Sequence, residues 1–508
     1  MPPEQQSDVF ALLSNPATYG PGIRHVRRID THISAVFIAG DRAYKLKRAV
    51  HLPFVDFSTL AARHRACLAE LAVNRRTAPD LYLGVMAITR EDDGSLALGG
   101  EGQPEDWLVI MRRFDDQDLF DRMASAGRLT RPHALALADA VADLHEKAAL
   151  RPQWGGEACL GQTIDGNAVC FAQFIPGLFD AVATGRLTEH SLAWLVRLTP
   201  LLEARRASGK VRLCHGDLHL GNICLFEGRP TLFDAIEFND EFACIDVLYD
   251  LAFLLMDLQA QGMGEMANWV FNRYLERTAD FAGLAALPLF LSLRAAIRAH
   301  VSAAMAASAD DRALESNAVA YLGRATAYLS PPPPRLLAVG GLSGSGKSRL
   351  GRSLAPLIGA APGAVLLRTD VLRKRLMGVE PETRLPPEGY SPDMTERTYR
   401  TLCEETERVL ATGQSVVADA VFAKPAQRAA IEEIGRRMAV PFDGLWLEAS
   451  PEVMRGRIEA RRGNASDATA AILERQLTYD LGHIGWHRVD SSGAKRATFG
   501  NARLYLGL

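Results

Sequence analysis

Cys214-His215-Gly216-Asp217-Leu218-His219-Leu220-Gly221-Asn222 and, further along, Gly341-Leu342-Ser343-Gly344-Ser345-Gly346-Lys347-Ser348 are the two stretches whose reading decides the fold. In the first, an aspartate and an asparagine five residues apart reproduce the spacing of a kinase catalytic loop. In such a loop the carboxylate meets the acceptor hydroxyl and the amide oxygen holds a metal ion. A phosphoryl group in flight also needs a second carboxylate for its cations, and Asp234 offers one at the end of Thr231-Leu232-Phe233. The second stretch follows the apolar run Leu336-Leu337-Ala338-Val339-Gly340, read as a buried strand, and precedes a helical stretch. That context suits a phosphate loop: backbone N–H groups at a helix start cradle phosphate, Lys347 neutralises its oxygens and the Ser348 hydroxyl binds Mg²⁺. Two nucleotide sites on unrelated folds are therefore expected in one polypeptide.

Composition sets the bounds. At 508 residues the chain holds several structural units. Its net charge of -3, with 23% charged residues, supplies no basic field for a nucleic acid. The seven cysteines are scattered and odd in number, which predicts reduced thiols. Met1 to Val9 has no apolar core of a signal peptide, so a cytoplasmic protein is expected. The apolar stretch Phe281 to Ala307 is interrupted by Arg294, Arg298 and His300 and predicts a buried helix pair, not a membrane span.

Four prolines, Pro331 to Pro334, predict a stiff linker over 331–335 between a first domain, 1–330, and a second, 336–508. Upstream, 35–38 and 43–47 read as a hairpin turning at Gly40-Asp41, followed by a helix opening at Ser58 and a strand at 108–111. From His133 onward the pattern is mostly helical. Downstream of the linker, strand candidates at 336–340, 365–368, 415–418 and 444–447 alternate with helices, which predicts a parallel sheet covered on both faces.

The motif His215-Gly216-Asp217-x-His219-x-x-Asn222 with Asp234 resembles the aminoglycoside phosphotransferase and choline kinase-like family over about residues 25 to 325. The resemblance implies a bilobal α+β kinase-like domain in which Asp217 is catalytic, Asn222 and Asp234 bind Mg²⁺, and Asp250 is a structural carboxylate. Either Lys45 or Lys47 is then the phosphate lysine, with Glu70 as its ion-pair partner; a solvated strand lysine is the alternative for each. No Gly-x-Gly-x-x-Gly loop is present, and Thr31-His32-Ile33-Ser34 stands where the family covers the phosphates, so Ser34 joins the candidates and GTP stays open beside ATP. Met111 and Arg112 are the candidate hinge. His215 and His219 are read as loop-holding residues.

Roughly residues 335 to 490 resemble the small P-loop kinases related to gluconate kinase, polynucleotide kinase and the zeta toxins, an α/β P-loop NTPase fold. That resemblance implies that Asp370, read as ending the second strand, meets the acceptor hydroxyl, and that Arg457, Arg461 or Arg462 act from a lid. Asp419, ending the third strand, takes the metal-binding place. Gly341, Ser343, Gly344, Ser345, Gly346, Lys347 and Ser348 would hold nucleotide. For any one arginine, a solvated helix face is the competing reading.

The whole chain resembles bacterial fusions of these two domains. It is expected to be a bifunctional ATP- and Mg²⁺-dependent kinase acting on small-molecule hydroxyls, sugar-like or amino-alcohol, with no nucleic acid and no membrane partner. Two alternatives stand beside it. In one, a single domain is catalytic and the other senses nucleotide; in the other, a zeta-toxin-like nucleotide-sugar kinase is restrained by the first domain. Oligomeric state leaves no mark on the sequence.

Overall fold

The computed structural model describes residues 6–52, 55–460, 467 and 469–508. The chain divides into two compact units, residues 1–162 with 202–257, and residues 163–201 with 258–508. The proline run lies inside the second unit.

The first unit carries an antiparallel sheet of order β1-β2-β3-β6-β4-β5. Its strands are β1 (Arg27–Asp30), β2 (Ser34–Ala39), β3 (Arg42–Lys47), β4 (Tyr82–Arg90), β5 (Leu96–Leu98) and β6 (Gln103–Arg112). The expected hairpin is β2–β3, paired Ala39 to Arg42 across Gly40, whose φ of 61° is open to glycine without steric cost. One face buries Phe37, Leu46, Leu108 and Ile110. Against the other lies helix α1 (Leu60–Asn74). The helix opens one residue later than expected: Thr59 is the N-cap, its hydroxyl accepting from Ala62 N, while Ser58 N donates to Asp56. A buried pair fixes α1 to β6, Arg63 Nε to Asp106 Oδ1 at 2.8 Å, with Gln6 donating to the other carboxylate oxygen at 2.7 Å. Seven residues on, two helical turns, Glu70 is delivered beneath β3.

The remaining functional elements of this unit are α2 (Arg131–Lys147), β7 (Val211–Leu213), the hairpin β8 (Ile223–Phe226) and β9 (Arg229–Leu232), β10 (Cys244–Asp246) and α3 (Val247–Ala260), whose last residues pass into the second unit. Strands β7 and β10 pair antiparallel.

The second unit is built on a parallel sheet of order β12-β13-β11-β14-β15. Its strands are β11 (Leu336–Gly340), β12 (Val365–Arg368), β13 (Val416–Asp419), β14 (Phe442–Glu448) and β15 (His487–Asp490). Central strand β11 is buried throughout, as a strand covered on both faces must be. The helices that matter to the site are α4 (Gly264–Thr278), α5 (Leu287–Ala309), α6 (Arg312–Tyr328), α7 (Lys347–Leu354), α8 (Thr369–Leu376), α9 (Pro392–Leu410), α10 (Pro451–Glu459) and α11 (Ala470–Leu477). The apolar stretch near 281–307 forms one long helix, α5, instead of the expected pair, and it packs against α6, which begins at Arg312. Among the described residues, Ala282–Ser308 is the one helical stretch long and apolar enough to span a membrane, and 72% of its most apolar window is buried in the protein. All seven cysteines are free thiols.

Candidate active sites

The β8–β9 hairpin brings Asn222 and Asp234, twelve residues apart in sequence, to neighbouring positions. Ile223 pairs with Leu232, and Phe233 N donates to Asn222 O at 3.0 Å, so the residues just outside the hairpin stand side by side. Asn222 Nδ2 donates to both the backbone oxygen and Oδ2 of Asp217, each at 2.9 Å. Its amide nitrogen is thereby committed, so Oδ1 is the side-chain atom that could hold a cation. Asp217 keeps a side chain 39% exposed.

Asp250 holds the loop from below. Its carboxylate accepts from His215 N at 3.0 Å and Gly216 N at 2.9 Å, and meets His145 Nε2 of α2 at 3.1 Å. Cys214 joins His145 and Asp250 in a cluster of metal-ligand type. The carboxylate is already engaged by these donors, so the cluster reads as scaffold. Burial pushes the His215 imidazole below its ordinary value, and its Nε2 meets Phe233 O at 3.0 Å. His219 Nδ1 accepts from Gly221 N, and its ring sits over Phe253. Both histidines hold the loop.

Lys45 and Lys47 share one face of β3 and divide the work. Lys45 Nζ lies 2.9 Å from Glu70 Oε1 and 2.5 Å from Asp234 Oδ1. Lys47, 1% exposed, is sealed between Glu70 Oε2 and Glu237 Oε1. Burial works against both ammonium charges, but the carboxylates more than offset it and raise both lysines. Burial likewise works against the Glu70 carboxylate, yet the two lysines hold it down at about 2; for Glu237 burial prevails and its carboxyl is raised. Asp234 adopts φ 61°, and its N–H donates to the Tyr82 hydroxyl. Glu237 and Tyr82 went unassigned by sequence reading. The acid three residues after Asp234, matched by a second lysine on β3, was the available signal for Glu237.

Ser34 ends the β1–β2 turn, paired across the sheet with Lys47, and its hydroxyl is buried without a hydrogen-bond partner. Met111, at the end of β6, is buried against Tyr82 and Phe226, while Arg112 pairs with Glu227 at 2.8 Å.

Replacing Lys47 with methionine is expected to cost about 3–5 kcal/mol of stability, because it leaves Glu70 and Glu237 facing each other with one cation fewer. Urea unfolding checks this, and adding Glu237→Gln should restore part of the loss.

In the second unit the ends of three parallel strands meet at one edge. Asp419 pairs in register with Val339 of β11 and Arg368 of β12, the Arg368 Nε lying 3.6 Å from its carboxylate. The phosphate loop leaves β11 at this edge and enters α7 at Lys347. A side chain at Gly344, whose φ is 87°, would meet Met454 O at 2.6 Å. Lys347 Nζ donates to Leu342 O at 3.0 Å, closing the loop on itself. Ser343, Ser345 and Ser348 line, with Asp370, Asp419 and Arg457, a cavity of about 1280 Å³.

Asp370 does not end a strand. Strand β12 stops at Arg368, and Thr369 and Asp370 form the first turn of α8. There the helix N-terminus favours a carboxylate. Arg457, on α10, reaches Gly344 O, Ser345 O and, at 2.6 Å, Ser491 O. Arg461 and Arg462 lie outside the described residues.

Opposite the phosphate loop, Arg373 donates to Gly389 O and Thr395 Oγ1 and stacks over the Tyr390 ring. Asp467 accepts from the Tyr390 hydroxyl at 2.6 Å, from Leu385 N and from Lys374. Gln476 of α11 accepts from Ser343 N at 2.8 Å. Gln476 and Lys374 were missed in the sequence, since each is ordinary on a helix and acquires meaning only where the chain returns.

Comparison with known proteins gives concordant matches. The model of the Phosphotransferase enzyme family matches residues 96–287, and that of an AAA domain matches residues 336–479. Uncharacterized proteins of Mycobacterium bovis and Mycobacterium tuberculosis are each 32% identical over 494 residues, spanning 93% of this chain and 94% of their own. Among solved structures, a choline/ethanolamine kinase family protein from Mesorhizobium loti covers 64% of this chain and 94% of its own, at 13% identity and TM-score 0.40. A gluconokinase from Sinorhizobium meliloti covers 34% of this chain and 95% of its own, at 24% identity and TM-score 0.25.

Proposed function

This chain belongs to the family of those mycobacterial proteins, a kinase of the phosphotransferase type joined to a P-loop kinase-like domain, and from that premise we propose that both halves transfer phosphoryl groups. The acceptor at each site is a hydroxyl of a small metabolite, sugar-like or amino-alcohol, and the donor is ATP with Mg²⁺.

The observation that carries the reading is that each half groups carboxylates with a lysine: Lys45 with Asp234 and Asn222 with Asp217 in the first, and Lys347 with Ser348, Asp370 and Asp419 around one cavity in the second. In the first half Asp217 orients the acceptor hydroxyl and takes its proton as charge moves onto the transferred group. Asn222 Oδ1 and the Asp234 carboxylate are the oxygens suited to Mg²⁺, which would neutralise the phosphate oxygens. Lys45 is the phosphate lysine, because it is the one that touches Asp234 as well as Glu70. Ser34 and Met111 border the nucleotide side. In the second half Lys347 and the loop amides hold the phosphates, Ser348 and Asp419 suit the cation, Asp370 faces the acceptor, and Arg457 steadies the loop.

The deciding experiment measures ATP consumption over a panel of hydroxylated metabolites with the wild-type chain, Asp217→Asn and Lys347→Ala. Two activities, each removed by one substitution alone, are expected. If one change removes everything and the other nothing, only one half is catalytic.

A further inference from the structure

Strand β12 stands at the edge of the parallel sheet and, among the described residues, pairs only with β13. Backbone groups alternate in direction along a strand, so every second residue of an edge strand turns its N–H and C=O outward. Val365 N is spent inward on Ser415 O at 2.9 Å. Ala364 O and Leu366 N face out, and two asparagines of α4 meet them. Asn272 Oδ1 accepts from Leu366 N at 2.7 Å, and Asn272 Nδ2 donates to Ala364 O at 3.2 Å. One side-chain amide thus makes the two bonds that a residue of a neighbouring strand would make. Asn268 Nδ2 adds bonds to Ala364 O at 3.1 Å and Pro362 O at 3.2 Å. Asn272 Nδ2 also donates to Asn268 Oδ1, which locks the pair. Both side chains are buried, and a side chain on Gly363 would come within 2.9 Å of Asn268 Nδ2.

What this clamp holds is the strand that delivers Asp370, four residues beyond Leu366. One helical step on, Arg273 faces Glu382 at 3.5 Å, in the segment between α8 and α9. Helix α4 lies before the proline run, wholly inside the stretch matched by the phosphotransferase model.

We propose that Asn268 and Asn272 are positioning residues of the P-loop site: α4 completes the edge of its sheet and sets the register of Asp370, so this kinase half begins at α4 rather than after Pro334. The proposal rests on the reading of Asp370 as the acceptor-facing carboxylate.

The test uses the full-length chain carrying Asp217→Asn, so that ATP turnover comes from the P-loop site, with water as acceptor. Adding Asn272→Leu should lower that turnover about 10- to 100-fold, as misplacement of a reacting group does, while MgATP affinity stays within about twofold, the phosphate loop itself being untouched. Amide exchange should rise locally over 364–370 and stay unchanged over 336–340. Unchanged turnover and exchange would overturn the proposal, as would turnover and affinity falling together with exchange rising throughout the unit. If the leucine variant does not fold, Asn268→Ala, which removes two donors and no acceptor of strand N–H, is judged on the same readouts. If the Asp217→Asn parent shows no Lys347-dependent turnover, the kinase reading of this half fails. The clamp is then decided by exchange alone: a local rise supports it, no rise refutes it.

Discussion

Lys347→Ala in the full-length chain should lower ATP turnover at the P-loop site by on the order of 10²- to 10³-fold, the scale of removing one preorganised donor from developing charge. The ammonium sits at the first position of α7, where the helix start and the loop amides already favour anions, and it closes the loop through Leu342 O. Alanine removes the charge and keeps the helix. Thermal stability should therefore change little while turnover collapses, and the Asp217-dependent activity should persist. Comparing Lys347→Ala with Lys347→Ala plus Asp217→Asn isolates the two contributions. An equal loss at both sites would mean the substitution acts through folding.

Asp217→Asn should remove about 10²- to 10⁴-fold from turnover at the first site, the range of a lost general base. The substitution keeps shape. Asn222 still donates to the backbone oxygen of residue 217, and Asp250 still grips His215 N and Gly216 N, so the loop retains its scaffold. The loss should fall on kcat, with nucleotide KM little changed, if the carboxylate faces the acceptor as proposed. A shift in nucleotide KM with kcat preserved would reassign Asp217 to binding.

Both site motifs were legible because their chemistry is local. A phosphate loop is eight consecutive residues, and the catalytic loop is nearly as short, so residue types and spacing suffice. Among the described residues, four of the five parallel strands after Leu336 were equally readable, since covered strands are apolar throughout, whereas β15 is mostly exposed and carries no such run. Asp370 was misplaced by two residues because a strand and a helix abut without a turn, leaving no glycine or proline to mark the join. Ser58 yielded to Thr59 for a related reason: two hydroxyl residues in succession are equal candidates until the backbone picks one. The two lysines of β3 could not be ranked from sequence, since both lie on one strand face and their difference comes from acids far along the chain. The same holds for the α4 asparagines, whose partners lie more than ninety positions away.

The contact between Lys45 and Asp234 pairs that carboxylate with an ammonium before any ligand arrives. A cation entering alone must displace an ammonium from Asp234, and a phosphate entering alone must draw that ammonium from its carboxylate. On the proposed assignment, a phosphate and Mg²⁺ entering together would exchange partners, the phosphate pairing with Lys45 and the cation with Asp234. Thermodynamic linkage then makes metal and nucleotide reciprocal effectors, each raising the affinity for the other by the same factor. Titrating Mg²⁺ with and without nucleotide reads that factor directly, and Lys45→Met should tighten Mg²⁺ binding in the absence of nucleotide.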